Sequence, residues 1–375
     1  MTDVCDVFVC GAGPAGSTAA AELAGAGFST VLCDREKFPR DKTCAGWVNA
    51  RAFSEFDFLA DRAEAFAERP FYGLIFLSPN LGQRICYEAE EPQGYLVRRR
   101  HFDAGLVGLA AEAGATVVEG AFLTELRQAQ DSVMALLEDG RRYRAQFLVG
   151  ADGVSTTVGR LSGLNPGFAE DDLVVAVEQE FGTSSEVLEE LGGERGRLLL
   201  ALSYDYIAGY AWVFPRRETV SVGVGARMKR ISNIRETHRK FVSDLQAGGL
   251  LSKDAESSEA RSALIPAGAA LKMDRLAEGR VLLVGDAGGF VAAASGEGIY
   301  PGMRSGRLAA RVIAQGLSQG EEAGVAEQYH AAAIGELGEY LKMPGIDLPL
   351  TMGVLFRDQR VADRLARAFL FGEPI

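Results

Sequence analysis

Histidine is nearly missing from this chain: His101, His238 and His330 are the only three in 375 residues. So few imidazoles argue against a histidine-built metal site and against a Ser-His-Asp triad. Cysteine is also sparse. The five cysteines form no CxxC pair and no Cys/His cluster, so no metal site is expected. Cys5, Cys10 and Cys33 lie in or beside apolar strand-like runs, where a reduced, buried thiol is the plain reading. No run approaches the roughly 18 apolar residues that a membrane helix requires. The first residues are polar and acidic, without the basic and apolar segments of a leader. Positive charge is in deficit as well, 39 Lys and Arg against 51 Asp and Glu, for a net charge of −12. That balance argues against nucleic acid as a partner and against a broadly basic, membrane-hugging surface. A reduced, cytoplasmic protein is expected, and the length predicts two closely joined domains.

What is present is glycine in a telling place. Val4 to Cys10 (VCDVFVC) reads as a short buried strand that runs directly into GAGPAG, Gly11 to Gly16. An alanine-rich helix then extends to about Ala26. Gly11 permits a tight turn, Gly13 lets backbone amides approach a pyrophosphate, and Gly16 allows helix and strand to pack closely. Pro14 and Ala15 complete the loop, whose amides and helix dipole stabilise phosphate charge. A second strand, Ser29 to Cys33, ends in Asp34-Arg35. This sets a carboxylate about twenty residues beyond the glycines, where it can accept hydrogen bonds from an adenosine ribose.

FAD and NAD share this fingerprint, and two later segments bear on the choice. FLVGADGVSTTVGR ends a strand in Ala151-Asp152-Gly153, and GRVLLVGDAGGF ends another in Gly285-Asp286-Ala287-Gly288. Both read as returns of the chain to one sheet, delivering a turn at the strand ends where open α/β sheets bind ligands. The ordered set GxGPAG, ADGVxxxVxR and RVxLVGDAxG resembles the para-hydroxybenzoate hydroxylase-like flavoproteins from about Val4 to Ala310. That resemblance implies FAD, with Asp286 on the ribityl chain and Asp152-Gly153 near the pyrophosphate. By the same likeness Arg99, in VRRRHFD, contacts the cofactor; its plainer reading is an ion-paired arginine at a helix start.

The remaining patterns predict an α/β (α+β) architecture: a Rossmann-type FAD domain, an inserted and mostly antiparallel substrate sheet, and a helical C-terminus. Residues 1–70, 99–165 and 271–318 are assigned to the FAD domain. Residues 71–98 and 166–270 are assigned to the substrate sheet, and 319–375 to the C-terminal helices. Phe71 to Pro79 and Gln83 to Ala89 read as a hairpin around Asn80-Leu81-Gly82. His101 to Gly114 reads as a helix, followed by a meander turning at Asp139-Gly140. Strands are expected at Leu173 to Phe181, Arg197 to Ser203, Tyr210 to Phe214 and Thr219 to Gly225.

In AGYAWVFP, strand alternation sets Tyr210, Trp212 and Phe214 on one face, ahead of Pro215. The plain reading is an aromatic core stripe. The YxWxFP pattern, however, resembles a motif of the geranylgeranyl reductase family that faces flavin and isoprenoid. FPRDKTCAGWVN, with Cys44, Ala45 and Trp47, and SGEGIYPGMRSG, with Gly296, Gly298 and Ile299, resemble two further segments of that family. The chain departs from the family pattern at Ala292-Ala293-Ala294, where proline is usual, and in the bulk of Trp47.

The resemblance implies saturation of isoprenoid double bonds by flavin hydride transfer. Tyr210 and Trp212 then stabilise developing positive charge, and Cys44 serves as proton donor or as a shaper of the site. Trp47, Tyr210, Trp212, Phe214 and Pro215 are expected to touch the substrate. A helix from Gly298 onward is expected to direct its positive end at the flavin, and Glu297 to cap that helix. No second GxGxxG follows a later strand, so NADPH docks transiently or a ferredoxin-type donor or quinol supplies electrons. Competing readings are a flavin monooxygenase or hydroxylase, a flavin-dependent halogenase, and a quinone-linked electron-transfer flavoprotein. Arg216 and Arg217 read as paired surface arginines. The tail from Pro344 to Phe371 reads as a helix covering the core or a dimer contact, with peripheral membrane contact as the rarer alternative.

Overall fold

The computed structural model describes residues 2–60, 62–345 and 348–375, and the chain divides into two compact units. The first comprises the chain up to Asp41, Arg100–Ala169 and Pro266–Met343. Its framework is a sheet whose main path runs Ala277–Glu278, Val281–Leu283, Arg142–Gly150, Thr2–Cys10, Thr30–Asp34, Thr116–Glu119. From Val281–Leu283 to Thr116–Glu119 all neighbours are parallel. Val7, Phe8 and Val9 in the central strand are completely buried, as a strand covered on both faces requires. The meander appears as Leu123–Gln128 and Val133–Leu137, antiparallel additions to Arg142–Gly150. The helices Pro14–Gly25 and Ile299–Gln319 pack against each other, and Val325–Leu341 packs on the latter.

The second unit comprises Lys42–Arg99, Glu170–Ile265 and Pro344–Ile375. Its seven-stranded sheet is ordered Arg261–Ile265, Val174–Gly182, Thr219–Arg227, Gly209–Pro215, Arg197–Leu202, Gly73–Leu77, Arg84–Glu88. One pair, Arg197–Leu202 with Gly73–Leu77, is parallel, and the others are antiparallel. Both faces are buried, which explains why these strands read as apolar runs. Ala211 and Val213 face a cluster closed by Phe241 and Leu245 of the helix Ile234–Ala247. Trp212 and Phe214 face the opposite cluster, together with Leu365, Phe369 and Leu370 of the C-terminal helix Gln359–Phe371. The spacing 362, 365, 366, 369, 370 forms a single apolar stripe on that helix, so it covers core, as expected of the tail. Residues 346 and 347 of the tail lie outside the described residues. The helix Ile234–Ala247 and a small sheet of Trp47–Asn49, Gly94–Leu96 and Arg69–Phe71 had no counterpart in the sequence expectations.

The expected fold class is the observed one. Among the described residues, no helix is long and apolar enough to cross a membrane.

Candidate functional site

In the first unit the strand Thr2–Cys10 delivers Gly11 at φ +104, a conformation that L side chains rarely adopt. A Cβ there would lie 2.3 Å from the carbonyl oxygen of Ala151, the residue after the parallel strand Arg142–Gly150. A Cβ on Gly16 would lie 1.9 Å from the Gly11 oxygen, so this glycine is required by strand–helix packing. Gly13 is different. Its φ of −72 suits any residue, and a Cβ would meet nothing nearer than Arg40 Nη2 at 3.9 Å. Nothing inside the protein demands glycine at that position, and its backbone is left open to a ligand. The helix that follows begins at Pro14 with no side-chain cap and no acid in its first turn, so its positive end is left for an anion. These features fit the pyrophosphate of a dinucleotide.

Asp34 ends its strand beside this loop, with Oδ2 accepting from Ala12 N at 2.7 Å and Oδ1 from Glu36 N at 2.8 Å. Arg35 points outward, 68% exposed, against Glu36. On the other flank, Gly285 takes φ +57 and Asp286 is partly exposed between buried neighbours. The Gly298 Cβ position lies 3.4 Å from Asp286 Oδ1. The long helix starts at Ile299 with Gly298 as its N-cap, one residue later than expected. Its capping side chain is Glu297, whose Oε1 accepts from Tyr300 N at 2.7 Å, in line with the capping expectation. Burial pushes the Glu297 carboxyl up to about 7.

The side chain of Asp152 has a structural task of its own. Its carboxylate accepts from Thr156 Oγ1, from Thr157 N at 2.6 Å and from Val158 N at 3.0 Å. It therefore caps the helix Thr157–Ser162, and only the Asp152-Gly153 backbone is left to face a cofactor. Arg40 was overlooked in the sequence. Its Nη1 pairs with the completely buried Asp103 at 3.0 Å, and its Nη2 is the atom nearest the open side of Gly13.

The second unit gathers the other candidates. Trp47, Tyr210, Trp212 and Phe214 belong to one apolar cluster. Trp212 lies 6.0 Å from Tyr210 and 6.2 Å from Phe214, ring centre to ring centre. Phe369 of the C-terminal helix stacks on Trp47 at 5.5 Å and meets Tyr210 edge-on at 5.4 Å. The stripe is thus packed as core, its plainer reading. Apolar surroundings push the Tyr210 hydroxyl up, and Cys44 lies within its electrostatic reach.

Arg216 needs a correction, because it is 2% exposed rather than a surface arginine. Its Nη1 pairs with Glu180, while its Nη2 donates to the carbonyls of Cys44 at 3.5 Å and Ala45 at 3.2 Å. Nearby, Trp212 Nε1 donates to Ser221 Oγ at 3.3 Å, and Ser221 donates to Glu178 Oε1 at 3.0 Å. Arg99 is buried at the first turn of the helix Arg99–Glu112. The geometry therefore assembles Gly11 to Gly16, Asp34 and Asp286 around a dinucleotide cradle. In the other unit it gathers Cys44, Ala45, Trp47, Tyr210, Trp212, Phe214 and Pro215. The five cysteines are free thiols, and burial holds Cys5 and Cys33 at about 12.

Comparison with known proteins identifies the group that this cradle holds. Residues 4–334 match the family model described as an FAD binding domain. Digeranylgeranylglycerophospholipid reductase 1 of Methanopyrus kandleri is 30% identical over 338 residues, spanning 84% of this chain and 81% of that protein. The chain belongs to the geranylgeranyl reductase family of FAD-binding oxidoreductases. The menaquinone reductase of Mycolicibacterium smegmatis is likewise 30% identical, over 84% of this chain and 78% of its own. The fold matches a geranylgeranyl bacteriochlorophyll reductase-like protein from Thermoplasma acidophilum with a TM-score of 0.81 and 22% identity, covering 100% and 93% of the two chains. The flavin-dependent halogenase CmlS shares the fold at a TM-score of 0.75 and 20% identity, covering 98% of this chain and 72% of its own. This flavoprotein is an FAD-dependent oxidoreductase.

Proposed function

We propose that the protein is an FAD-dependent reductase that saturates carbon–carbon double bonds of a geranylgeranyl-type isoprenoid. The observation that carries this reading is that one chain holds both the FAD cradle and an apolar aromatic cluster of Trp47, Tyr210, Trp212 and Phe214. FAD, when bound and reduced, supplies a hydride. Gly11 to Gly16 and Asp34 bind its adenosine-diphosphate part, Arg40 adds positive charge at the open side of Gly13, and Asp286 orients the ribityl chain. Asp152-Gly153, Gly296 and Ile299 present backbone to the same cofactor.

An isolated trisubstituted alkene is not electrophilic, so hydride reaches one carbon as a proton reaches its neighbour. The π electrons form the new C–H bond to that proton, and the hydride closes the cationic carbon. The faces of Tyr210 and Trp212 stabilise that charge by about 1–2 kcal/mol each in a desolvated site. Cys44 holds the proton at Sγ, while Trp47, Phe214 and Pro215 exclude water around the chain. The substrate's isoprenoid is carried on a diphosphate, a glycerolipid or a quinone, and NADPH or a ferredoxin-type protein returns the electrons.

The test is an anaerobic single turnover. Holoprotein reduced with dithionite is mixed with geranylgeranyl diphosphate, a digeranylgeranyl glycerolipid or menaquinone. Reoxidation of the flavin together with two hydrogens gained in the isoprenoid chain, and retained after any quinol is reoxidised in air, supports the reading. A flavin that stays reduced until air is admitted overturns it and favours a monooxygenase, whereas reoxidation by menaquinone that leaves every isoprenoid double bond in place favours a quinone-linked role. Cys44→Ala is expected to slow this step about 100-fold, the ordinary worth of a positioned acid. An unchanged rate removes Cys44 from the chemistry.

A further inference from the structure

Glu297 stands out among the buried charges. It is 4% exposed, yet its carboxylate serves as a helix cap, a task that Ser, Thr, Asp or Asn performs at a cheaper desolvation cost. Oε1 accepts from Tyr300 N, and Oε2 accepts from the Tyr340 hydroxyl at 2.8 Å on the helix Val325–Leu341. A buried carboxyl that can exist in either form near neutrality marks a functional position more often than a structural one.

Topology sets this group beside the flavin end of the cofactor. The nucleotide loop ends the strand Thr2–Cys10, which lies between Thr30–Asp34 on one side and Arg142–Gly150 on the other, with Val281–Leu283 beyond. An FAD held by Gly13 and Asp34 would, along this strand order, bring its flavin end to the turn that carries Asp286. The helix Ile299–Gln319 closes on that same place. The Gly306 Cβ position lies 2.2 Å from the Ala15 oxygen, and that of Gly302 lies 3.6 Å from Gly285. Gly298, next to Glu297, approaches the Asp286 carboxylate.

We infer that Glu297 is the acceptor of the second proton when the bound flavin is reduced. This rests on the FAD placement proposed above. Two electrons and one proton delivered to the isoalloxazine leave it with one added negative charge beside the helix start. A second proton from solvent, taken onto the Glu297 carboxylate, restores the balance and leaves the helix's positive end uncompensated by any capping charge, free to stabilise the reduced ring. Reoxidation releases that proton again. Around Glu297, among the described residues, lie Tyr300 and Arg304 on its own helix and Tyr340 and Glu336 on the packed helix. The Asp286 carboxylate lies against the neighbouring Gly298. Arg304 donates to the Tyr300 hydroxyl at 3.1 Å and pairs with Glu336 at 3.2 Å.

Potentiometric titration of the holoprotein tests this without turnover. From about pH 7 upward, the value to which burial has lifted this carboxyl, the wild-type midpoint is expected to fall with the slope of two protons per two electrons. Glu297→Gln keeps an acceptor for Tyr300 N but cannot titrate, so its slope is expected to be that of one proton. In the reduced-minus-oxidised infrared difference spectrum, the band of a protonated carboxyl appears in wild type and is lost in Glu297→Gln. Equal slopes, or a band that survives the substitution, overturn the inference. Should Glu297→Gln fail to hold FAD, Tyr340→Phe decides. Loss of that hydroxyl donor raises the carboxyl further, so the two-proton range extends to higher pH, and an unmoved range overturns the inference. These readouts use no isoprenoid, so failure of the reductase reading leaves them standing, and the reverse also holds.

Discussion

Gly13→Val is expected to yield a folded but colourless protein. The backbone at Gly13, φ −72 and ψ −178, is one that a β-branched residue adopts readily, and the space around its Cβ is open to 3.9 Å. The substitution therefore costs the apoprotein little. The two methyl groups occupy the volume through which a pyrophosphate reaches the amides at the helix start. Affinity for FAD is expected to fall about 100-fold or more, which corresponds to about 3 kcal/mol. The measurement is flavin absorbance per mole of protein, with circular dichroism and thermal unfolding of the apoprotein as controls. The stabilisation that added FAD gives to wild type is lost in the variant. Gly16→Ala is the contrasting control. Its new methyl group lies 1.9 Å from a backbone oxygen, so it damages the fold itself and lowers apoprotein stability. A yellow, tightly loaded Gly13→Val protein removes Gly13 from the cofactor site.

The difference between these two glycines marks how far sequence reasoning reaches. Both occupy fixed places in GxGxxG, and a strand, turn and helix follow each other within some twenty residues, so local periodicity suffices to read them. The alternation of Tyr210, Trp212 and Phe214 was legible for the same reason, because a strand fixes which side chains share a face. The capping role of Glu297 was also readable from its spacing to the helix. What covers the aromatic stripe was not readable, since Phe369 reaches Tyr210 and Trp47 from the far end of the chain. The capping task of the Asp152 side chain was not read, because ADG fits a cofactor turn as well as a cap. Thr156 and the short helix after it were the available signal for the cap. The helix Ile234–Ala247 was missed because its apolar face is narrow, with His238, Phe241 and Leu245 buried along it. Arg216 shows the limit most plainly. An Arg-Arg pair after a strand has the pattern of an exposed turn, and only the tertiary fold brings Glu180 and the Cys44 loop against it.

Arg216→Ala is accordingly expected to be among the most destabilising single substitutions in the second unit. It removes one of the two arginine partners of Glu180, the other being Arg98, together with the nearby positive charge that opposes the rise of Glu178 and the donor to the carbonyls of Cys44 and Ala45. Glu178, 8% exposed, then stays desolvated without that charge, and a buried charge stripped of its partner costs about 3–5 kcal/mol. Urea unfolding at neutral pH measures the loss, and a change below about 1 kcal/mol would falsify the assignment. The effect depends on pH with a definite sign. Burial already lifts the Glu178 carboxyl above its ordinary value, opposed chiefly by Arg216, so removing the arginine lifts it further. A carboxyl raised in the folded state favours folding while protonated and loses that contribution as pH rises through its folded value. The deficit of Arg216→Ala should therefore be small in mild acid and grow toward neutrality and above. Glu178→Gln added to Arg216→Met is expected to recover part of the stability, since the amide carries no charge to desolvate. It does not restore the tether on the Cys44 loop. In a Cys86→Ser background, Cys44 should react faster with iodoacetamide in Arg216→Ala and in the double variant alike. Stability and the order of the cysteine loop thus separate into two readings of one guanidinium.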